Sequence, residues 1–357
     1  ERQGFIRPHM ADENDKRTIY MVDMHEPLMF LHNLDTTIKE PFASNPAVLD
    51  AVEKNHKKLQ IAMTKLYPGN LVLSLSSGIM YHRLVDRITA LNDVPREPLV
   101  PRRLGKNMCV PFGKILRGKV VPNTVTKTLH TDKVYEPDLN SFTIEPFPYY
   151  SPLKSQIETI TSFDRPVILV DDLVHTANRL QVLVPQLRED GIPIKKVVVG
   201  VLSGYGRDLM QCLKVPVESI YSMPNLRQWF VESTLYPFIG GDTVRREEMK
   251  VAGLQPSINM ILPYATPRLS GCSREALVEF SACCIENSRD LFQVLEAEYR
   301  KMYAKNLTLS RLSEAVILPL CPDKGSCMEY DENLAASVYL ENDLETLWRM
   351  KEFLIKG

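Results

Sequence analysis

The stretch that decides the fold is Val167-Ile168-Leu169-Val170-Asp171-Asp172-Leu173-Val174-His175-Thr176-Ala177-Asn178-Arg179. Four apolar residues run directly into two carboxylates, and a short turn then leads into a helical pattern. A continuous apolar run of this kind predicts a strand covered on both faces, as in a parallel sheet. Ligands of open α/β sheets bind beyond the carboxyl ends of the strands, where the acidic pair and the turn are expected. The free N–H groups of a helix start at this point would suit a phosphate.

The same thirteen residues resemble the phosphoribosyl-pyrophosphate (PRPP) motif of the type I phosphoribosyltransferases. The chain keeps the apolar strand, both acidic residues, the apolar pair Leu173-Val174 and the first threonine, Thr176. It departs from the family at Ala177, where glycine is usual, and at Arg179, where threonine or serine is usual. The alternative interpretation of the acidic pair is a helix cap beside a solvated carboxylate.

The resemblance implies a role for each part of the motif. Asp171 and Asp172 would accept the ribose hydroxyls, and His175 would serve as general base, so these three are the catalytic candidates. The turn would bind the 5-phosphate through Val174, His175, Thr176, Ala177, Asn178 and Arg179. Mg²⁺ is the expected cofactor, held through PRPP near Asp171 and Asp172 rather than by the protein directly.

Two further sites follow from the resemblance. The turn Ser76-Ser77-Gly78 and Lys114 match the family's pyrophosphate-binding positions, although the turn also fits an ordinary strand-to-helix connection. Trp229, Phe238 and Asp242 are candidates for the pocket of the base, and each also fits a core or turn position.

Patterning elsewhere predicts an α/β fold with a parallel-sheet, type I phosphoribosyltransferase-like core over residues 45–250. Apolar runs at 71–75, 108–112 and 196–202 are the other expected strands. The polar segment 116–150 is expected to form a hairpin, with 124–130 as one arm, that either closes over the site or stays solvated. Residues 251–357 show helical stripes and are expected to be a mainly helical extension that packs on the sheet domain or a second subunit.

Residues 1–44 do not resemble the start of a sheet domain. A short run near Gly4 faintly resembles the closing segment of a GNAT-type acetyltransferase. We therefore expect an N-terminal extension or the remnant of an upstream domain of a longer, multidomain chain.

Composition limits the classes of partner. A net charge of −1 over 357 residues gives no general electrostatic basis for binding nucleic acid or an anionic membrane. No apolar run approaches the length of a membrane span. Seven scattered cysteines favour reduced thiols in a cytoplasmic compartment.

The main functional hypothesis is a Mg²⁺-dependent phosphoribosyltransferase that uses PRPP and a nitrogenous small-molecule acceptor, either alone, as a homodimer, or with other domains of a longer chain. The second hypothesis is a non-catalytic module on the same fold that binds PRPP or a nucleotide. The acceptor cannot be named from sequence because base choice depends on pocket shape.

Overall fold

The computed structural model describes residues 4–6, 20–92, 104–246, 253–267, 269, 271–323 and 329–356. The chain divides into two compact units, one formed by Ser76–Leu226 and the other by Glu1–Leu75 together with Arg227–Gly357. The first unit covers fewer residues than the predicted region 45–250, because residues 45–75 and 227–250 belong to the second unit.

The strands of the described residues are β1 (Gly4–Ile6), β2 (Tyr20–His32), β3 (Asn70–Ser76), β4 (Met108–Pro111), β5 (Val125–Thr126), β6 (Thr131–Tyr135), β7 (Phe142–Pro146), β8 (Val167–Val174), β9 (Ile194–Ser203), β10 (Val217–Met223), β11 (Gln228–Val231), β12 (Asp242–Val244), β13 (Gln255–Ile258) and β14 (Leu320–Pro322). The α-helices are α1 (Pro46–Leu66), α2 (Ser77–Leu91), α3 (Leu153–Thr161), α4 (Asn178–Glu189), α5 (Gly204–Cys212), α6 (Glu232–Leu235), α7 (Arg274–Tyr303), α8 (Leu312–Ala315) and α9 (Ala336–Lys356).

The unit Ser76–Leu226 is built on a five-stranded sheet in the order β10-β9-β8-β4-β5, in which every neighbouring pair is parallel. The apolar residues Val167–Val170 of β8 are completely buried in its middle. The predicted α/β class, the parallel sheet and the central position of this strand are confirmed. The type I family assignment stays a prediction.

Two predicted elements lie elsewhere. The run 71–75 forms β3, but β3 pairs with β2 and not with the parallel sheet. Its residues are only partly buried, so it lacks the two covered faces of a central parallel strand. The segment 124–130, predicted as a hairpin arm, instead contains Val125–Thr126, which pairs with β4 and extends the parallel sheet. The hairpin in this segment is formed by β6 and β7, which pair antiparallel.

The second unit combines strands with long helices. Strands β1 and β2 pair antiparallel, β11 runs parallel to β2, and β13 lies between β12 and β14. Helix α7 packs against α1 and α9 and buries Leu291 and Leu295 completely. The apolar stripe of the C-terminal region therefore serves the core of this unit. No helix within the described ranges is long and apolar enough to cross a membrane.

Candidate functional site

The acidic pair lies inside β8 and not after it, since the strand continues through Asp171 and Asp172 to Val174. Successive side chains of a strand point to opposite faces of the sheet, so the two carboxylates start from opposite faces. Asp171 is 5% exposed, while Asp172 is half-buried. The Oδ1 atom of Asp172 accepts a hydrogen bond from the Leu173 amide at 2.8 Å.

Asp171 has a cationic partner that the sequence argument left open. Nη1 of Arg179 donates to Oδ1 of Asp171 across 3.2 Å, and the guanidinium carbon lies 5.8 Å from the centre of the Phe112 ring. The pKa of Asp171 is raised to about 7, because burial of the carboxylate and the neighbouring Asp172 together outweigh the opposing effect of Arg179. Arg179 thus faces the acidic pair from the first turn of α4.

The turn that precedes α4 has an unusual backbone. Ala177, at the N-cap of this helix, has φ of 50° and ψ of 21°, in the left-handed region that favours glycine. It lies where the motif that this stretch resembles carries glycine, the residue that adopts this left-handed conformation without strain. Thr176 is exposed, and the first amides of α4 have no partners within the helix. An anion placed here would meet N–H groups and the positive end of the helix.

His175 lies between the turn and the neighbouring strand end. Its Nδ1 atom is 2.9 Å from Oγ of Ser203, the last residue of β9. Burial lowers the pKa of His175, which keeps the imidazole neutral near pH 7. Ser203 Oγ accepts the Gly206 amide at 3.0 Å and faces the Val174 carbonyl at 3.5 Å.

These contacts permit the His175 tautomer that is protonated on Nδ1. If the Ser203 hydroxyl donates to the Val174 carbonyl, Oγ can accept Nδ1–H of His175, and Nε2 then carries the lone pair that a general base needs. Ser203 was not a sequence candidate. The sequence offered one signal for Ser203: it lies between a buried strand and the Gly-Tyr-Gly start of a helix, where a serine often caps the helix.

The predicted pyrophosphate residues flank this region to different extents. Lys114 is exposed and follows β4 at the edge where β8 also ends, since the Phe112 amide donates to the Val170 carbonyl. Ser76 is the N-cap of α2, and Gly78 is half-buried. Ser77 is fully buried, and its Oγ has no hydrogen-bond partner among the described residues.

Met80, in the first turn of α2, packs closely against Gly200 of β9. A Cβ atom added to Gly200 would lie 2.1 Å from Sδ of Met80 and 2.6 Å from the carbonyl oxygen of Asp172. The start of α2 therefore lies close to the acidic pair.

The candidates for the base pocket belong to the second unit. Trp229 is 39% exposed on β11, and Asp242 begins β12. Phe238 is completely buried among the rings of Phe292, Tyr330 and Tyr339. Phe238 thus occupies a core position in its own unit.

Comparisons with known proteins do not assign this chain to a family. Neither a protein-family model nor a curated protein matches the sequence. A solved purine phosphoribosyltransferase from Pyrococcus horikoshii Ot3 is similar to this chain with a TM-score of 0.25 and 14% sequence identity, over 49% of this chain and 91% of that chain. A TM-score this low supports no argument about function, which therefore rests on the side chains and their geometry.

Proposed function

We propose that the unit Ser76–Leu226 binds PRPP and transfers its phosphoribosyl group to a nitrogenous small-molecule acceptor. The observation that carries the proposal is the acidic pair in the carboxyl-terminal half of a central parallel strand that leads into a turn and a helix start. Breaking the ribose C1–O bond builds positive charge on the sugar while pyrophosphate leaves with negative charge. Carboxylates beside the ribose would stabilise the positive charge on the sugar, and cationic groups beside the pyrophosphate would stabilise the negative charge of the leaving group.

Asp172 and Asp171 would differ in how readily they accept hydrogen bonds from the ribose hydroxyls. Arg179 already holds one oxygen of Asp171, and Asp171 is almost completely buried. Asp172, which is half-buried, is the more accessible acceptor for a ribose hydroxyl. Mg²⁺, which prefers hard oxygen ligands, would be held through PRPP near these carboxylates and would supply charge neutralisation at the leaving pyrophosphate.

His175 would take the proton that the acceptor loses. As the C1–O bond to pyrophosphate breaks and a C1–N bond forms, the acceptor nitrogen becomes positively charged and releases its proton to Nε2 of His175. The lowered pKa of this histidine keeps Nε2 unprotonated before the reaction. Ser203 would act as a positioning residue that fixes the ring and its tautomer.

The second candidate function is binding of PRPP or a nucleotide without turnover. It is favoured by the Arg179–Asp171 pair, which occupies a carboxylate that a transferase would need for its substrate. Pyrophosphate release, measured with PRPP and Mg²⁺ against a panel of purine and pyrimidine bases, separates the two. We expect release with at least one base and its loss in His175→Ala, with PRPP affinity almost unchanged. Binding of PRPP without release by the parent protein would favour the second function, and no binding would refute both.

A further inference from the structure

Three side chains with metal-binding atoms meet in the second unit, and none of them is a residue of the proposed PRPP site. They are His32 at the end of β2, His56 in the middle of α1 and Glu232 at the start of α6. One ligand atom from each lies within 4.8 Å of the other two. Glu232 is completely buried, and His32 is 8% exposed.

The fold brings two of these residues to the same sheet edge. Strand β11 runs parallel to β2 with Val231 opposite Leu31, so the next residues, Glu232 and His32, emerge side by side. The third ligand comes from α1, whose position is fixed by a reciprocal pair of hydrogen bonds. Asn55 Nδ2 donates to the Asn287 carbonyl at 2.7 Å, and Asn287 Nδ2 donates to the Asn55 carbonyl at 3.1 Å.

The outward-facing atoms of the cluster already have partners. His32 Nε2 is 2.5 Å from Ser74 Oγ, and Tyr236 donates its hydroxyl to Glu232 Oε1 at 3.1 Å. Asn287 Nδ2 in turn donates to the Tyr236 hydroxyl at 3.0 Å. Metal-binding histidines and carboxylates characteristically have such outer hydrogen bonds, which fix the tautomer and the direction of the ligand atom. Here they direct His32 Nδ1 and Glu232 Oε2 inward.

The inward atoms converge on a common point. Glu232 Oε2 is 3.2 Å from His32 Nδ1 and 2.7 Å from His56 Nε2. The second contact is short enough for an ion pair, yet it lacks hydrogen-bond direction, and the buried His56 Nε2 has no hydrogen-bond partner among the described residues. The His32–Glu232 contact is a hydrogen bond, whereas the His56 contact is short without hydrogen-bond direction, as expected if His56 Nε2 and Glu232 Oε2 face a shared centre.

We propose that His32 Nδ1, His56 Nε2 and Glu232 Oε2 bind a divalent first-row transition metal of the zinc class. Two imidazoles and one carboxylate are a common ligand set for such metals and leave a fourth position for water or a ligand. The cation would balance the charge of the fully buried carboxylate, which is costly to leave without compensation. The His56 side chain is 23% exposed and is the most exposed of the three ligands.

The test uses the full chain, stripped with a chelator and then titrated with Zn²⁺ and, separately, Co²⁺. We expect one ion per chain, a visible Co²⁺ absorption typical of low coordination number, and an increase in Tm on adding Zn²⁺. His56→Gln and Glu232→Gln should each weaken Zn²⁺ binding by about 100-fold or more and abolish the Tm increase, since loss of even an outer partner costs about 10–100-fold. His82→Gln is the matched control, because His82 has an 80% exposed side chain in the other unit.

Two safeguards keep the result decisive. Glu232→Gln retains the size of the buried side chain, and circular dichroism of each variant before titration reports whether it is folded. If Glu232→Gln fails to fold, His56→Gln decides, because that side chain is partly exposed. Parent protein that binds no metal at micromolar concentration would overturn the proposal in favour of a proton-sharing His–Glu network. Equal binding by parent, His56→Gln and His82→Gln would overturn it in favour of adventitious surface binding.

Discussion

Arg179 Nη1 donates to Oδ1 of Asp171 across 3.2 Å, which joins the first turn of α4 to the central strand of the parallel sheet. The arginine stands where the related motif usually has a small hydroxyl residue. The pair therefore neutralises part of the acidic cluster from within the protein. Asp171 has a raised pKa, so its titration can be followed through the pH dependence of stability.

The first prediction concerns stability and pH. Because the pKa of Asp171 is raised from 3.8 to about 7, the folded state binds more protons than the unfolded state between these values. The contribution of Asp171 to the free energy of unfolding therefore falls as pH rises, by up to about 1.4 kcal/mol per pH unit. Urea unfolding at pH 5, 6 and 7 should show a steeper fall in the parent than in Asp171→Asn, since other buried carboxylates such as Asp343, with a pKa raised to about 6, contribute equally to both proteins. Asp190→Asn, at the exposed far end of α4, is the control; an equal slope in all three proteins would contradict the prediction.

A second prediction concerns Ala177. A residue with a Cβ pays about 1–2 kcal/mol for a left-handed conformation, whereas glycine adopts it readily but loses more entropy on folding. Ala177→Gly should therefore raise the free energy of unfolding by about 1 kcal/mol or less. Ala304→Gly, at φ of 53° after α7, should gain a similar amount without affecting ligand binding. Denaturant titration tests both, and a loss of stability in Ala177→Gly would show that the turn is not strained.

The third prediction concerns the close approach of α5 to the end of β8. A Cβ at Gly206 would lie 2.2 Å from the Val174 carbonyl oxygen. Gly206→Ala should destabilise the protein by about 2 kcal/mol, although the same change in an open helix would stabilise it by roughly 1 kcal/mol. Gly191→Ala, which meets no atom within 4 Å but has φ of 73°, isolates the cost of backbone strain. A Gly206→Ala variant that is as stable as the parent, or more stable, would contradict the packing argument.

The sequence was sufficient to predict the central strand because Val167–Val170 must be covered on both faces. It also located the turn, since Thr176-Ala177-Asn178 separates the strand from a helical pattern. It misplaced the partner of 71–75, because an apolar run does not specify which sheet it joins. Phe238 fits either a base pocket or a core by its sequence, since an isolated aromatic residue suits both, and the structure places it in the core of its unit.

Long-range contacts could not be predicted in the same way. Ser203 meets His175 from a different strand, and Arg179 turns back to Asp171 and not outward to solvent. His32, His56 and Glu232 have no recognisable spacing, because 24 residues separate the first two and 176 separate the last two, by subtraction of their positions. The pairing of β11 with β2 brings His32 and Glu232 together, and helix α1 supplies His56.

The most direct test of the central claim is calorimetric titration of the full chain with PRPP in the presence of Mg²⁺. The account predicts binding by the parent and by Asp190→Asn, and a loss of about 10- to 100-fold in affinity in Asp172→Asn, because a charge-assisted hydrogen bond to a ribose hydroxyl contributes about 1.5–3 kcal/mol. Equal affinities of the parent and Asp172→Asn, or no binding of PRPP by the parent, would contradict it.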